Sequence, residues 1–321
     1  MNKGKKLLYV TAGSYRYGFG HVRRSMELAK TLQETFDLAF YAYVESRGHE
    51  SLDFSGVKQI INPFIEESCH GVLIDMPEPY AEKALAFYSQ EMRDVPLTAL
   101  GCFLKINDKP DVVINLDNMG ENLSYRKYYV GLQYSIIREI FSKYREKPRV
   151  AKGYSNVVIS LGGADVEGVS ELLVNLFHEK LSSYQDIKYH LILGPLSEKK
   201  EYRKGSLDLR VYWTPKNLEE LMSEADVAIC NGGTMMMEYA FLGIPVIAVP
   251  QTPHEEIFVS KFENQGAAVL VKSRDIKEKV GTSLLELLAS KPRREAMSRI
   301  GQKMSDGLGK DRIAQILKEV V

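Results

Sequence analysis

Two stretches of this sequence place chemically useful residues at suggestive spacing. The first, Thr11 to Arg24, reads TAGSYRYGFGHVRR and carries Gly18, Gly20 and His21. Gly18 and Gly20 allow a tight turn and a close approach of backbone to ligand. A helix opening near Gly20 would point unsatisfied N–H groups and its positive dipole end outward. That dipole disfavours an imidazolium, so His21 is expected neutral, able to accept a proton as a general base. A histidine that merely caps the turn is the alternative. Arg23 and Arg24 in the same turn oppose the dipole, an arrangement more easily understood with an anion nearby, two solvated arginines being the alternative. A dinucleotide fingerprint competes here, but its third glycine falls at Arg23, where a long side chain obstructs helix–strand packing.

The second stretch, Asp226 to Pro250, contains Asn231-Gly232-Gly233, then Thr234 and Glu238. The glycine pair can turn the chain so that amides at the next helix start face a diphosphate. Glu238, about one turn into that helix, can accept hydrogen bonds from vicinal ribose hydroxyls. Its alternative role is to complement the helix dipole. Ser160-Leu-Gly162-Gly163-Ala-Asp165 offers another glycine pair, beside a diphosphate or simply at a turn. Trp213, the only tryptophan, ends an apolar run and suits either a base pocket or the core. Gln251 to Glu256, with His254, follows another strand end and is read as reaching a sugar or as a surface helix start. Met235, Met236 and Met237 are read as helix packing.

These residues need elements to position them, and the chain alternates strand-like and helix-like runs. Strands are expected at 7–12, 37–44, 71–76, 96–103 and 111–116, then at 156–161, 189–193, 209–213, 226–230 and 244–249. Val22, Met26, Ala29 and Leu32 recur at helical spacing over 20–35, and 80–93, 169–181, 218–225 and 234–242 read likewise. Segments from His254, Asp275, Pro292 and Lys310 are helical in pattern. The polar stretch from Tyr144 to Tyr154 is the linker candidate. Alternating strands and helices imply parallel sheets covered on both faces, with ligands beyond the strands' carboxyl ends. Two such series predict an N-terminal domain over 1–150 and a C-terminal one over 151–321. The last helix is expected to be able to pack back on the first domain.

Composition bounds the function. The chain has 321 residues, 45% hydrophobic and 26% charged, with 42 basic against 42 acidic side chains. That balance argues against a nucleic-acid partner. No run approaches the roughly 20 apolar residues of a membrane span, so no integral membrane contact is expected. Cys69, Cys102 and Cys230 are odd in number and lack metal spacing; they read as reduced thiols of a cytoplasmic protein. Neither cofactor nor metal is expected. Oligomeric state is not written in the sequence.

Taken together, GFGHVRR with Leu28-Ala29, SLGGAD ending at Asp165, and Asn231-Gly-Gly-Thr with Glu238 resemble the two-domain nucleotide-sugar enzymes called GT-B. Within them the chain is most similar to UDP-sugar hydrolases of pseudaminic-acid biosynthesis and the related spore-coat polysaccharide proteins. The stretch YSIIREIF, Tyr134 to Phe141, also looks like that group. The peptidoglycan N-acetylglucosaminyltransferase is a more distant relative. The resemblance implies an α/β fold of two Rossmann-like, doubly wound parallel-sheet domains facing across a cleft. It implies that water, activated at His21, attacks the anomeric carbon of a UDP-linked (di)acetamido-deoxy sugar and expels UDP without metal. Gly20, Gly162, Gly163, Asn231, Gly232, Gly233 and Thr234 would then border the nucleotide diphosphate, Glu238 the ribose and Trp213 the base. Tyr17, Arg24 and His254 would lie on the sugar side. Hydrolases of this group often carry an Asp-His pair after the strand at 71–76, where this chain reads Asp75-Met76-Pro77; an acidic pair near Gly101–Cys102 is also absent. A glycosyltransferase with the same donor site is the alternative, and a non-catalytic nucleotide-sugar sensor or a dinucleotide oxidoreductase stand further off.

Overall fold

The computed structural model describes residues 4–14, 19–44, 52, 68–92, 94–101, 110–116, 127–145, 155–163, 165, 167–198, 201–202 and 205–321. The chain divides into two compact units: Met1–Ile137 with Gly307–Val321, and Arg138–Asp306. The division falls after Ile137, ahead of the polar stretch read as the linker, whose residues 146–154 lie outside the described ones.

The first unit holds a six-stranded parallel sheet, β1 (Lys6–Gly13), β2 (Asp37–Val44), β3 (Gly71–Asp75), β4 (Leu97–Leu100), β5 (Val112–Asn115) and β6 (Lys127–Val130). Its order is β2-β1-β3-β4-β5-β6. Helix α1 (Gly20–Leu32) links β1 to β2, and α2 (Glu78–Glu91) links β3 to β4. All four positions of the expected α1 stripe are buried, and Leu8, Val72, Ile74, Leu97, Ala99 and Val113 form the core beneath α2. β3, β4 and β5 are buried along their whole length and mostly apolar, as strands covered on two sides are.

The second unit opens with α3 (Ser142–Arg145) and repeats the pattern with β7 (Ser155–Ser160), α4 (Val169–Lys180), β8 (Ile187–Leu193), β9 (Asp208–Trp213) and α5 (Leu218–Ser223). It continues with β10 (Val227–Cys230), α6 (Thr234–Leu242), β11 (Val246–Ala248), α7 (Pro253–Gln265) and β12 (Ala268–Leu270). Helices α8 (Ile276–Ala289) and α9 (Lys291–Met304) complete it. The strand order, β12-β11-β10-β7-β8-β9, is the doubly wound one. Two short strands, β6 and β12, escape the sequence reading; both sit at sheet edges, where half the backbone and much of the side-chain surface go uncovered.

The last helix, α10 (Gly309–Val320), belongs to the first unit. Ile313, Ala314, Ile316 and Leu317 bury its inner face, and Lys310 Nζ reaches Glu27 Oε1 of α1 at 2.6 Å. Gly309 lies so close to the Ser135 carbonyl that a β-carbon has no room there. The fold class is α/β, with two Rossmann-like units of six parallel strands each.

Candidate functional site

In a doubly wound sheet the crevice opens where neighbouring strands send their connections in opposite directions. In the first sheet that point lies between β1 and β3, and in the second between β7 and β10. Both stretches singled out in the sequence emerge there.

His21 is the second residue of α1, just beyond β1, and Asp75 is the last residue of β3. His21 Nδ1 lies 2.8 Å from Asp75 Oδ1. Arg24, one turn along α1, donates from Nε to Asp75 Oδ2 at 2.8 Å and from Nη2 to Oδ1, a bidentate fork. Ser25 Oγ donates to Oδ2 at 3.0 Å. Asp75 is completely buried while the His21 side chain keeps 29% exposure. Burial alone would raise the Asp75 carboxyl, but the charge and hydrogen bonds of Arg24, with those of His21, outweigh it and hold the group well below the usual carboxylate range. An ionised carboxylate can only accept, so Nδ1 must carry the proton. Arg24 Nη2, 3.0 Å from Nδ1, is then a second donor converging on the shared oxygen, not a partner of the ring. This tautomer makes Nε2 the basic nitrogen of the neutral ring, the orientation logic of a base held by a buried acid.

The structure supplies the anion that the sequence reading of the arginines asked for. The anion that accounts for Arg24 at a helix start is Asp75, within the protein itself. Arg24 therefore holds Asp75 through two of its guanidinium nitrogens. Arg23 is exposed. Asp75, read in the sequence only as half of an absent Asp-His pair, anchors the candidate base. Its place at the carboxyl end of a strand flanking the switch point was the signal available. Gly20 opens α1, and no side chain caps that helix. Tyr17 and Gly18 lie outside the described residues.

The second switch point is built from backbone and amide groups. Gly162, in left-handed conformation at φ 87°, follows β7, and Asn231-Gly232-Gly233 follows β10. A β-carbon on Gly162 would lie 3.4 Å from Asn231 Nδ2, and one on Gly233 3.3 Å from the same atom, so the Asn231 amide stands beside both glycine loops. Gly194, beyond β8, packs on the first pair: a β-carbon there would lie 2.5 Å from the Gly162 carbonyl oxygen and closer still to that of Gly163. Leu196 N donates to that Gly163 oxygen at 2.9 Å. Gly232 is needed for a different reason, since a β-carbon would meet Val259, Glu255 Cβ and the Glu255 carbonyl at 2.7–2.9 Å.

The helix starts around these loops differ. Asp165 accepts from Val169 N at 2.9 Å and from Ser170 N at 3.0 Å, closing the start of α4. Thr252 accepts from Glu255 N at 3.1 Å and closes α7. No side chain caps α6, which begins at Thr234 after the extended Gly233. Its first amides carry the partial positive charge that attracts an anion. Thus the pair Gly162-Gly163 adjoins the α6 start through Asn231, while Asp165 of the same motif serves its own helix.

Glu238 is 7% exposed, and both its oxygens accept from Arg138: Nε to Oε1 at 2.7 Å and Nη2 to Oε2 at 3.3 Å. Arg138 also donates to Glu219 Oε1 at 2.5 Å and lies 4.6 Å from the Phe141 ring centroid. The glutamate read as a ribose acceptor is therefore already an ion-pair partner, and a diol would have to share it. Burial would lower the Arg138 guanidinium, but Glu238 and Glu219 outweigh that and raise it. Trp213 ends the edge strand β9 with 37% exposure, which removes the core alternative. Met236 and Met237 are buried, as packing residues should be. His254 is exposed in the first turn of α7, in a segment whose Gln251, Thr252 and Glu256 help line a recess of about 400 Å³. Among the described residues, no three His, Cys, Asp or Glu side chains are placed to hold a metal ion. No described helix is long and apolar enough to cross a membrane.

Comparison with known proteins agrees with this architecture. Residues 170–313 match the glycosyltransferase family 28 C-terminal domain. An uncharacterised protein of Methanocaldococcus jannaschii is 27% identical over 77% of this chain, which spans only 56% of that protein's length. The spore coat polysaccharide biosynthesis protein SpsG of Bacillus subtilis is 22% identical over 96% of both chains. The UDP-2,4-diacetamido-2,4,6-trideoxy-beta-L-altropyranose hydrolase of Campylobacter jejuni is 23% identical over 83% of this chain and 99% of its own. Among solved structures, Acinetobacter baumannii MurG superposes with a TM-score of 0.67 at 14% identity, covering 98% of this chain and 99% of MurG. The Neisseria meningitidis UDP-GlcNAc 2-epimerase, bound to UDP-GlcNAc, gives 0.67 at 16% identity over 98% and 100%. These likenesses define the fold as GT-B, that of glycosyltransferases and nucleotide-sugar epimerases.

Proposed function

We propose that this chain is an enzyme acting on a nucleotide sugar, with the second unit holding the nucleoside diphosphate and the first supplying the base. The observation that carries the reading is the His21–Asp75 contact at a switch point, which makes Nε2 the basic nitrogen. In the proposed reaction Nε2 takes a proton from water as the water oxygen bonds to the anomeric carbon. The bond from that carbon to the diphosphate oxygen breaks, and its electron pair leaves on the diphosphate. Amides at the start of α6, with Asn231 and the glycine loops, receive the growing charge. The hydrolase form, with UDP as leaving group and a (di)acetamido-deoxy sugar as product, is supported by the likeness to the Campylobacter hydrolase and to SpsG. On this reading the enzyme works in surface-polysaccharide or nonulosonic acid biosynthesis, in the cytoplasm and without cofactor.

The match to a glycosyltransferase domain favours a second reading, in which an acceptor hydroxyl replaces water. The two separate in one assay. Purified protein is incubated with UDP-diacetamido sugars, and UDP release is followed with and without candidate acceptors. Release in buffer alone supports the hydrolase; release only with an acceptor replaces it by the transferase. A thermal-shift series over nucleoside diphosphates tests the shared premise, since a ligand bound to the folded state stabilises it by mass action. No shift with any diphosphate would remove the nucleotide site itself.

A further inference from the structure

Thr252 and Glu255 stand at the spacing of a capping box at the start of α7, but only half of the box is made. Thr252 Oγ1 accepts from Glu255 N as expected. The reciprocal bond, from the Thr252 amide to the glutamate, is replaced by others. Glu255 Oε2 accepts from Gln251 N at 2.7 Å, and Oε1 accepts from Asn231 Nδ2 at 2.6 Å. One acidic side chain therefore ties the loop after β10 to the loop after β11. Burial pushes its carboxyl up, and the hydrogen bonds from Gln251 and Asn231 offset that only in part. A buried acid beside an anion site has an electrostatic cost, so its position calls for a function that an ordinary cap does not need.

The function follows from the symmetry of an asparagine amide. Its oxygen and nitrogen ends are nearly equal in shape, and a half-turn exchanges acceptor for donor. A carboxylate can only accept, so Glu255 admits one of the two orientations. In that orientation Nδ2 is the nearer end, 3.4 and 3.3 Å from the β-carbon positions of Gly162 and Gly233 against 3.7 and 3.6 Å for Oδ1, and it keeps a second N–H beyond the one given to Glu255. We infer that Glu255 is a positioning residue that locks the Asn231 amide with its donor end toward the glycine loops, tuning the site for a diphosphate. This inference rests on the proposed nucleotide site.

The test is calorimetric binding of UDP and of uridine to the full chain. Glu255→Gln keeps the shape, yet its NH2 can meet Asn231 only if that amide turns over and shows oxygen to the glycine side. UDP binding is expected to weaken at least tenfold, by analogy with the loss of a hydrogen bond to a charged group, while uridine binding holds. Asn231→Ala should weaken UDP to a similar degree, and adding Glu255→Gln to it should change nothing further. A purely structural Glu255 would instead lower the melting temperature equally in both backgrounds and leave the ratio of UDP to uridine affinity unmoved, which overturns the inference. Asn231→Ala binding UDP like the wild type overturns it as well, even if Glu255→Gln does not fold. In either case wild-type UDP binding leaves the nucleotide reading standing; wild-type protein that binds no nucleoside diphosphate ends both.

Discussion

The two sheets have closely related strand orders, yet they equip their switch points in opposite ways. Between β1 and β3 the chemistry resides in charged side chains: Asp75 without exposure, Arg24 and His21 gathered upon it. Between β7 and β10 it resides in backbone, with Gly162, Gly194 and Gly232 at positions where a β-carbon would strain or collide. On the proposed function, the difference is a division of labour. A proton-transfer group needs one nitrogen at one place, which a buried ion pair can fix. A diphosphate needs many weak donors at close range, which glycine-rich backbone can bring together.

If that division is right, the largest effect belongs to His21. His21→Ala should lower turnover by roughly 10²–10⁴-fold, the usual share of a general base, and leave UDP affinity within a few-fold. Full activity in this variant, measured by UDP release, would be fatal to the first half of the comparison.

Asp75→Asn comes next because it disturbs both tautomer and fold. The new amide offers a donor to Nδ1, so the ring is driven to carry its proton on Nε2, and turnover should fall about 10²-fold or more. Arg24, only 14% exposed, also loses its neutralising partner, at a cost of about 3–5 kcal/mol. The pH dependence has a definite sign. The folded Asp75 carboxyl lies below its unfolded value, so its stabilisation is complete above about pH 4, the unfolded carboxylate range. It is lost as pH falls toward the depressed folded value. Acid denaturation curves of wild type and variant should therefore converge in strong acid; a constant offset down to the lowest pH would show that Asp75 is not the ionised partner of Arg24.

In the second sheet the vulnerable atoms are hydrogens. Gly194→Ala drives a methyl group into the Gly162 and Gly163 carbonyls, and overpacking of this kind costs about 1–3 kcal/mol. UDP affinity should drop about tenfold with kcat at saturation little changed, because the base lies elsewhere. Equal losses in kcat and in affinity would mean that the two switch points are not separable in function.

How much of this the sequence disclosed depends on the range of the interaction. Helix α1 was legible because Val22, Met26, Ala29 and Leu32 repeat at the helical period, and its four stripe positions are buried. The helix start at Gly20–His21 and the loop at Asn231–Gly233 were legible because glycine before a helix marks a local turn. The partners of those loops were not. Asp75 meets His21 across 54 residues of chain, and Arg138 meets Glu238 across 100. No period links such pairs; only the tertiary fold brings them together. Gly194 was overlooked for the same reason, since its neighbours Gly162 and Gly163 belong to another strand's loop. Glu255 did carry a local signal, the Thr-x-x-Glu spacing, but that pattern implies a cap and conceals the bond to Asn231.

Glu238 offers the smallest effect and the finest test, because two roles compete for one carboxylate. As the partner of Arg138 it helps neutralise a guanidinium that Glu219 also holds. As a ribose acceptor it would read the diol that distinguishes a ribonucleotide from its deoxy analogue. Glu238→Gln leaves Arg138 with Glu219 and one amide oxygen, so stability should fall by about 1 kcal/mol, a single exchanged hydrogen bond. The informative quantity is the ratio of UDP to 2′-deoxy-UDP affinity. Wild type should prefer the ribonucleotide by several-fold, and the variant should narrow that preference, since a neutral acceptor holds a hydroxyl less tightly than a carboxylate. A ratio that does not move would leave Glu238 as a structural ion-pair partner alone, and would shift the second unit's recognition wholly onto its backbone amides and Asn231.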